Sequence, residues 1–210
     1  WNDTPGRDEK FKEQTIRNTS QQQWDQEFGC EFLGSSDTLI SGAKLRQLTF
    51  LPYKTDPWKL DIHEEPINGH NYVICADTSH GVGQDHSAFC VIDVTSVPYK
   101  LVAKFYDNQT SPMMYPEVVV RAAIMYNRAF ILGEINDVGQ MVVESIYRDL
   151  EYENVISTIT KGRAGQKVSG GFGGLGASRT TFGVKMTTQV KRIGCTNMKD
   201  LIECDKLIIN

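Results

Sequence analysis

Three apolar runs joined by short connections limit the folds open to this chain more than any other feature. Tyr72–Ala76 (YVICA) ends on Asp77, Ser87–Val94 (SAFCVIDV) follows the Gly-containing turn TSHGVGQDH, and Leu101–Tyr106 (LVAKFY) follows TSVPYK. Each is short enough for a strand, and connections this brief predict an antiparallel meander. A different period then takes over. Val118, Val119, Ala122, Ala123 and Tyr126 fall on one helical face behind Pro116, a residue suited to a first helical turn. Ala129–Leu132 (AFIL) reads as a fourth strand ending at Gly133-Glu134. Val138, Met141, Val142, Ile146 and Leu150 mark a second helix, and Val155–Ile159 a fifth strand. Helical crossovers after the meander imply a parallel half, so the fold class is α/β with a mixed sheet flanked by helices.

The flanking segments are less structured in pattern. The first 50 residues are polar and Gln-rich, with helices expected over roughly Arg7–Asn18 and from Ser20 toward Phe28. Sheet signal starts only at Leu48–Tyr53, and the proline-bearing stretch Thr55–His70 reads as a connector. Toward the end, Thr187–Ile193 and Met198–Glu203 are expected as two helices, and Lys206–Ile209 as the start of a strand.

No apolar run nears the ~20 residues that span a bilayer, and the N-terminus carries no export signal. With no initiator Met, the chain reads as a fragment of a longer protein. The five cysteines, Cys30, Cys75, Cys90, Cys195 and Cys204, form no CxxC pair, which argues against a disulfide framework or a zinc site and for a reducing compartment. Cys75 and Cys90 sit in apolar runs, where Cys serves as a small core residue.

The net charge of −4 does not suggest nucleic acid, but its distribution does. No Asp or Glu occurs from Asn154 to Lys199, while Lys161, Arg163, Lys167, Arg179, Lys185, Lys191, Arg192 and Lys199 are basic. Such a stretch in an acidic protein fits a surface that faces a polyanion, although a solvated loop and helix face would look the same. Gly162–Arg179 is Gly-rich, yet it lacks the GxxxxGK[ST] spacing of a phosphate-binding loop.

The chemistry is expected at strand ends. The strand order resembles the ribonuclease H-like arrangement, in which the first and fourth strands are neighbours, so Asp77 and Glu134 would stand side by side at one sheet edge. Two such carboxylates repel unless a cation lies between them, and oxygen ligands favour Mg²⁺ or Mn²⁺. The matching chemistry is phosphodiester hydrolysis. Either acid alone would more simply be a turn former. Asp85, closing the turn GVGQD, could face the metal or cap the turn, and His80 and His86 in that turn could assist a water or touch a phosphate. Asp137 reads as the N-cap of the following helix. No GxSxG elbow is present.

The run CADTSHGVGQDHSAFCVIDV, the strand FILGEIN and the tail IGCTNMKDLIECDKLII resemble the nuclease domain of large terminase subunits, close to those of T-even-type tailed bacteriophages, over about Leu39 to Asn210. The resemblance implies a ribonuclease H-like domain that cuts concatemeric viral DNA into headful units in the infected cell, beside an upstream ATPase domain, with the portal and small terminase subunit as partners. By position, Asp77 and Glu134 match the family's first two catalytic acids, with Mg²⁺ between them, and Asp85 a further acid of the same turn. Residues 1–40 then correspond to the segment leaving the ATPase domain, and 41–210 to the nuclease. The family's third Asp lies on a helix after a strand like KLIIN, and so is expected past Asn210. Two other readings stay open: a DNA-gripping module of the packaging motor, and a resolvase or transposase-type enzyme of the same fold class.

Overall fold

The computed structural model describes residues 7–21, 24, 28, 38–48, 50–83, 85–159 and 180–209. They fall into two compact units, one up to Leu48 and one from Thr49.

In the first unit, α1 (Glu9–Asn18) begins where the Asp8 carboxylate accepts from the Phe11 amide at 2.9 Å. Trp24, 2% exposed, stacks on Phe28 at 4.6 Å and meets Phe11 edge-on at 5.9 Å. This aromatic cluster gives a polar segment something to bury. A short helix α2 (Gly42–Gln47) follows, capped by Ser41.

The second unit is built on a mixed sheet. Its strands are β1 (Lys54–Thr55), β2 (Leu60–Ile62), β3 (Tyr72–Asp77), β4 (Ser87–Asp93), β5 (Tyr99–Asp107) and β6 (Phe130–Gly133) in the order β1-β2-β5-β4-β3-β6. The expected meander is β3-β4-β5, with Cys75 opposite Cys90 and Cys90 opposite Lys104. From β5, the helix α3 (Tyr115–Met125) carries the chain across the sheet to β6, which lies parallel to β3. Pro116 occupies the first turn of α3, and the Tyr115 hydroxyl donates to the Ala88 carbonyl at 2.7 Å, pinning that turn to β4. After β6 come α4 (Gly139–Arg148), a two-stranded ribbon of β7 (Ser157–Ile159) and β8 (Thr180–Phe182), α5 (Thr188–Glu203) and β9 (Leu207–Ile208), which pairs parallel to β5.

Several sequence expectations change. The sheet signal at Leu48–Tyr53 forms no strand among the described residues, the first strand starting at Lys54, and most of the helix expected from Ser20 toward Phe28 lies outside the described residues. The connector Thr55–His70 holds β2 and part of β1, edge strands too short to show a period. The two late helices are one, α5, which runs through Gly194 despite the helix penalty of that residue. The fifth strand touches the sheet only through a parallel bridge of Val155 to Ile131 before its residues leave to form the ribbon. Finally, Cys75 and Cys90 are not in the core, because the described helices cover only the opposite face of the sheet. Tyr72, Ile74, Ala76, Phe89, Val91, Phe105 and Ile131 pack under Val118, Val119, Ala122, Val142, Val143 and Ile146 of α3 and α4. Among the described residues the other face stays open, with Phe130 half exposed and Cys75 and Cys90 facing solvent. Crowding by the surrounding sheet still pushes both thiols up, Cys75 to about 11. They are therefore surface thiols in a packed sheet, not core residues.

Candidate metal centre

Asp77 ends β3 and Glu134 follows β6, on neighbouring parallel strands. Ala76 stands opposite Gly133, and the Glu134 amide donates to the Ala76 carbonyl at 2.9 Å, so the two acids leave the sheet together. Asp77 is exposed and Glu134 half-buried. Their mutual influence is electrostatic as well as positional. Burial raises the Glu134 carboxyl, the Asp77 charge raises it further, and the Lys191 ammonium of α5 opposes both. Beneath them, burial and then the Asp77 charge push the Tyr115 hydroxyl well up.

The backbone around Glu134 is held on both sides. Beyond its bond to Ala76, the next amide, of Ile135, donates to Val184 at 3.0 Å, and Val184 donates back to Gly133 at 2.9 Å. Two glycines permit that closeness. A side chain at Gly139 would run into the Glu134 carbonyl, so α4 can start against this corner only without one. Gly183, with φ +80°, turns the chain from β8 back alongside β6, where a Cβ would lie 2.6 Å from the Gly133 carbonyl. The Asn136 side chain then donates to the Met186 carbonyl at 2.9 Å and accepts from its amide at 2.8 Å. That clip ties the start of α5, and with it Lys191, to the Glu134 corner.

The sequence-based site residues divide as follows. Asp77 and Glu134 are brought together. Asp85 lies exposed on the turn before β4, and among the described residues no three His, Cys, Asp or Glu side chains converge as a metal-binding group. Lys185, Lys191 and Arg192 are exposed, the last two on the first turns of α5. Lys161, Arg163, Lys167 and Arg179 lie outside the described residues. Asp137 does not cap α4: its backbone is left-handed (φ +51°), the cap position is Val138 without a side-chain bond, and its carboxylate instead meets His80 Nε2 at 2.7 Å. His86 stacks flat on Tyr106 with centroids 3.9 Å apart. A cleft of about 550 Å³ between Met113 and the α4 residues Met141 and Glu144 reaches this region at Asp137.

The donor set suits a hard divalent ion. Two carboxylates on adjacent strand ends, one already resisting ionisation beside the other, are relieved when a cation lies between them. Asp77 and Glu134 are the residues that would hold it.

A family model described as the terminase RNase H-like domain matches residues 74–210. Among solved structures, the chain is similar to the large terminase nuclease from thermophilic phage G20c with bound magnesium, at TM-score 0.59 and 18% identity over 83% of this chain and 75% of that one. The same nuclease with bound cobalt gives TM-score 0.59 and 19% identity over 83% and 74%. The large terminase nuclease domain of Thermus phage P74-26 gives TM-score 0.55 and 16% identity over 80% and 70%. At these identities the likeness is one of fold.

Proposed function

Because this chain belongs to the terminase RNase H-like domain family, we propose that it is a divalent-metal-dependent endonuclease that cuts concatemeric viral DNA during headful packaging. The observation that carries this reading is the pairing of Asp77 and Glu134 on the ends of parallel β3 and β6. It draws support from the fold shared with phage terminase nucleases, one of which is described with bound magnesium and cobalt.

In this reading Asp77 and Glu134 hold Mg²⁺, with Mn²⁺ as a substitute, and Asp85 contributes from the neighbouring turn. When bound, such an ion supplies Lewis-acid polarisation of the phosphoryl oxygen and makes a coordinated water acidic. The chain's own residues bind and orient. Lys191 sets the balance of charge at Glu134 and, with Lys185, Arg192, Lys161, Arg163, Lys167 and Arg179, holds the DNA backbone without reading sequence. Double-stranded DNA is the substrate, residues 1–40 lead from an ATPase domain, and the portal and small terminase subunit are partners. The setting is the cytoplasm of the infected bacterium. No helix among the described residues is long and apolar enough to cross a membrane.

The test is cleavage of supercoiled plasmid with Mg²⁺ or Mn²⁺ by the wild-type protein, Asp77→Asn and Glu134→Gln. Both substitutions should abolish cutting and leave circular dichroism unchanged, because each removes charge and geometry from the ion's site. Wild-type activity in either variant rules out the assignment. Cutting confined to branched junctions would favour the resolvase reading.

A further inference from the structure

The loops that continue β3 and β6 meet again beyond the two acids. His80 lies three residues after Asp77 and Asp137 three residues after Glu134, and their side chains join at 2.7 Å across the mouth between the strands. Both loops are fixed from behind. Ser79 is buried, its amide donating to the Ser87 hydroxyl at 3.0 Å, and Gly81 sits so close to the Thr110 carbonyl that a Cβ would come within 2.5 Å of it. On the other side, Asn136 is clipped to Met186.

Stability gives little reason for the pair. The His80 and Asp137 side chains are 57% and 72% exposed, and an ion pair that open to water is worth almost nothing to the fold. Holding it nevertheless has a cost. Asp137 adopts a left-handed backbone that only Asn, Asp and Gly tolerate readily, and α4 begins without a side-chain cap. With Nε2 occupied by Asp137, the nitrogen of His80 left to face an incoming group is Nδ1. The pair stands three residues beyond each acid, where the neighbours of a phosphate held by Asp77 and Glu134 would lie.

We infer that His80, oriented by Asp137, is a DNA-phosphate contact at the cleavage site, acting as an imidazolium that donates Nε2–H to Asp137 and Nδ1–H to a backbone oxygen next to the scissile one. The inference rests on the DNA-cutting reading for its substrate. Asp137 has two effects on that contact. It fixes the ring, and its own charge works against a polyanion. The two residues therefore act asymmetrically on DNA, whereas a plain loop latch would make them equivalent.

The experiment is fluorescence anisotropy with a labelled random-sequence duplex in Ca²⁺, comparing wild type, His80→Gln and Asp137→Asn, with thermal melts of each. His80→Gln should bind roughly tenfold more weakly, the scale of one charge-assisted hydrogen bond. Asp137→Asn keeps an amide oxygen for Nε2–H and removes a negative charge that repels DNA, so it should lose clearly less affinity than His80→Gln. Both should melt like wild type. Unchanged affinity in His80→Gln overturns the inference, and so does an equal loss of affinity and melting temperature in both variants, which would mark a latch. Wild type that binds duplex but never cuts it with Mg²⁺ or Mn²⁺ sinks the nuclease reading and leaves this one to the affinities. Failure of wild type to bind duplex overturns both.

Discussion

Replacing Gly139 by Ala tests whether the Glu134 corner is built as tightly as its function needs. The added methyl would overlap the Glu134 carbonyl oxygen and lie 3.0 Å from its carbonyl carbon. Relieving this takes a shift of roughly an ångström. Neither side yields easily. Glu134 is bonded through its amide to Ala76 at 2.9 Å and flanked by the Ile135–Val184 bond at 3.0 Å, while the Gly139 amide is bonded to Asn136 at 3.0 Å. The obstacle is backbone, not a side chain that can rotate away, so the cost belongs at the upper end of overpacking, about 2–3 kcal/mol. For a unit of this size that corresponds to a Tm lower by about 4–12 °C. The strand end should also move, and a displacement of this size at a reacting group costs on the order of 100-fold in cleavage. Gly194 is the matched control. It lies exposed within α5 with no atom within 4 Å of a Cβ, so Gly194→Ala should stabilise by about 0.5–1 kcal/mol without touching cleavage. Differential scanning calorimetry and plasmid cleavage measure both. If Gly139→Ala melts and cuts like wild type, close backbone packing at Gly139 does not hold the corner, and the refutation is complete.

The charge assignments can be checked in the same way. Replacing Lys185, Lys191 and Arg192 by Gln should weaken duplex binding alike for all sequences and flatten log affinity against log salt by about 0.9 for each phosphate no longer neutralised; an unchanged slope puts DNA on another face. Neutralising Lys161, Arg163 and Lys167 should do the same. Burial opposes the charge of Asp107, but Lys59, at 2.7 Å, and Thr110 win and bring its carboxyl down to about 2. A carboxyl with a depressed folded pKa stabilises above its unfolded value and loses that contribution as pH falls through the folded one. The window is therefore about pH 4 down to 2, and the amount, allowing for screening at exposed Lys59, is about 1–2 kcal/mol. Asp107→Asn should show a shallower acid limb in urea titrations; an identical limb would show that the carboxyl is not depressed.

What was legible in the sequence was whatever depends on local period and strand length. The meander β3-β4-β5, the helix behind Pro116 and the emergence of Asp77 and Glu134 at strand ends follow from apolar runs that can be stable in few other ways. Even the neighbouring of the acids could be expected, since strand order limits where a crossover can land. Other features exist only as long-range contacts. β1 and β2 are too short to carry a pattern and become strands because β5 offers an edge. α5 survives Gly194 because hydrogen bonding on either side outweighs one poor residue. Lys191 reads as one basic residue among many until the Asn136–Met186 clip brings its helix to Glu134. Asp137 shows the division most plainly. Its type and place before a helix favour a cap, a local choice, but a left-handed φ turns the carboxylate away from the helix to His80, 57 residues earlier. A sequence pattern reports what neighbours along the chain prefer, whereas that preference was overruled by a partner brought close only when β3 and β6 paired.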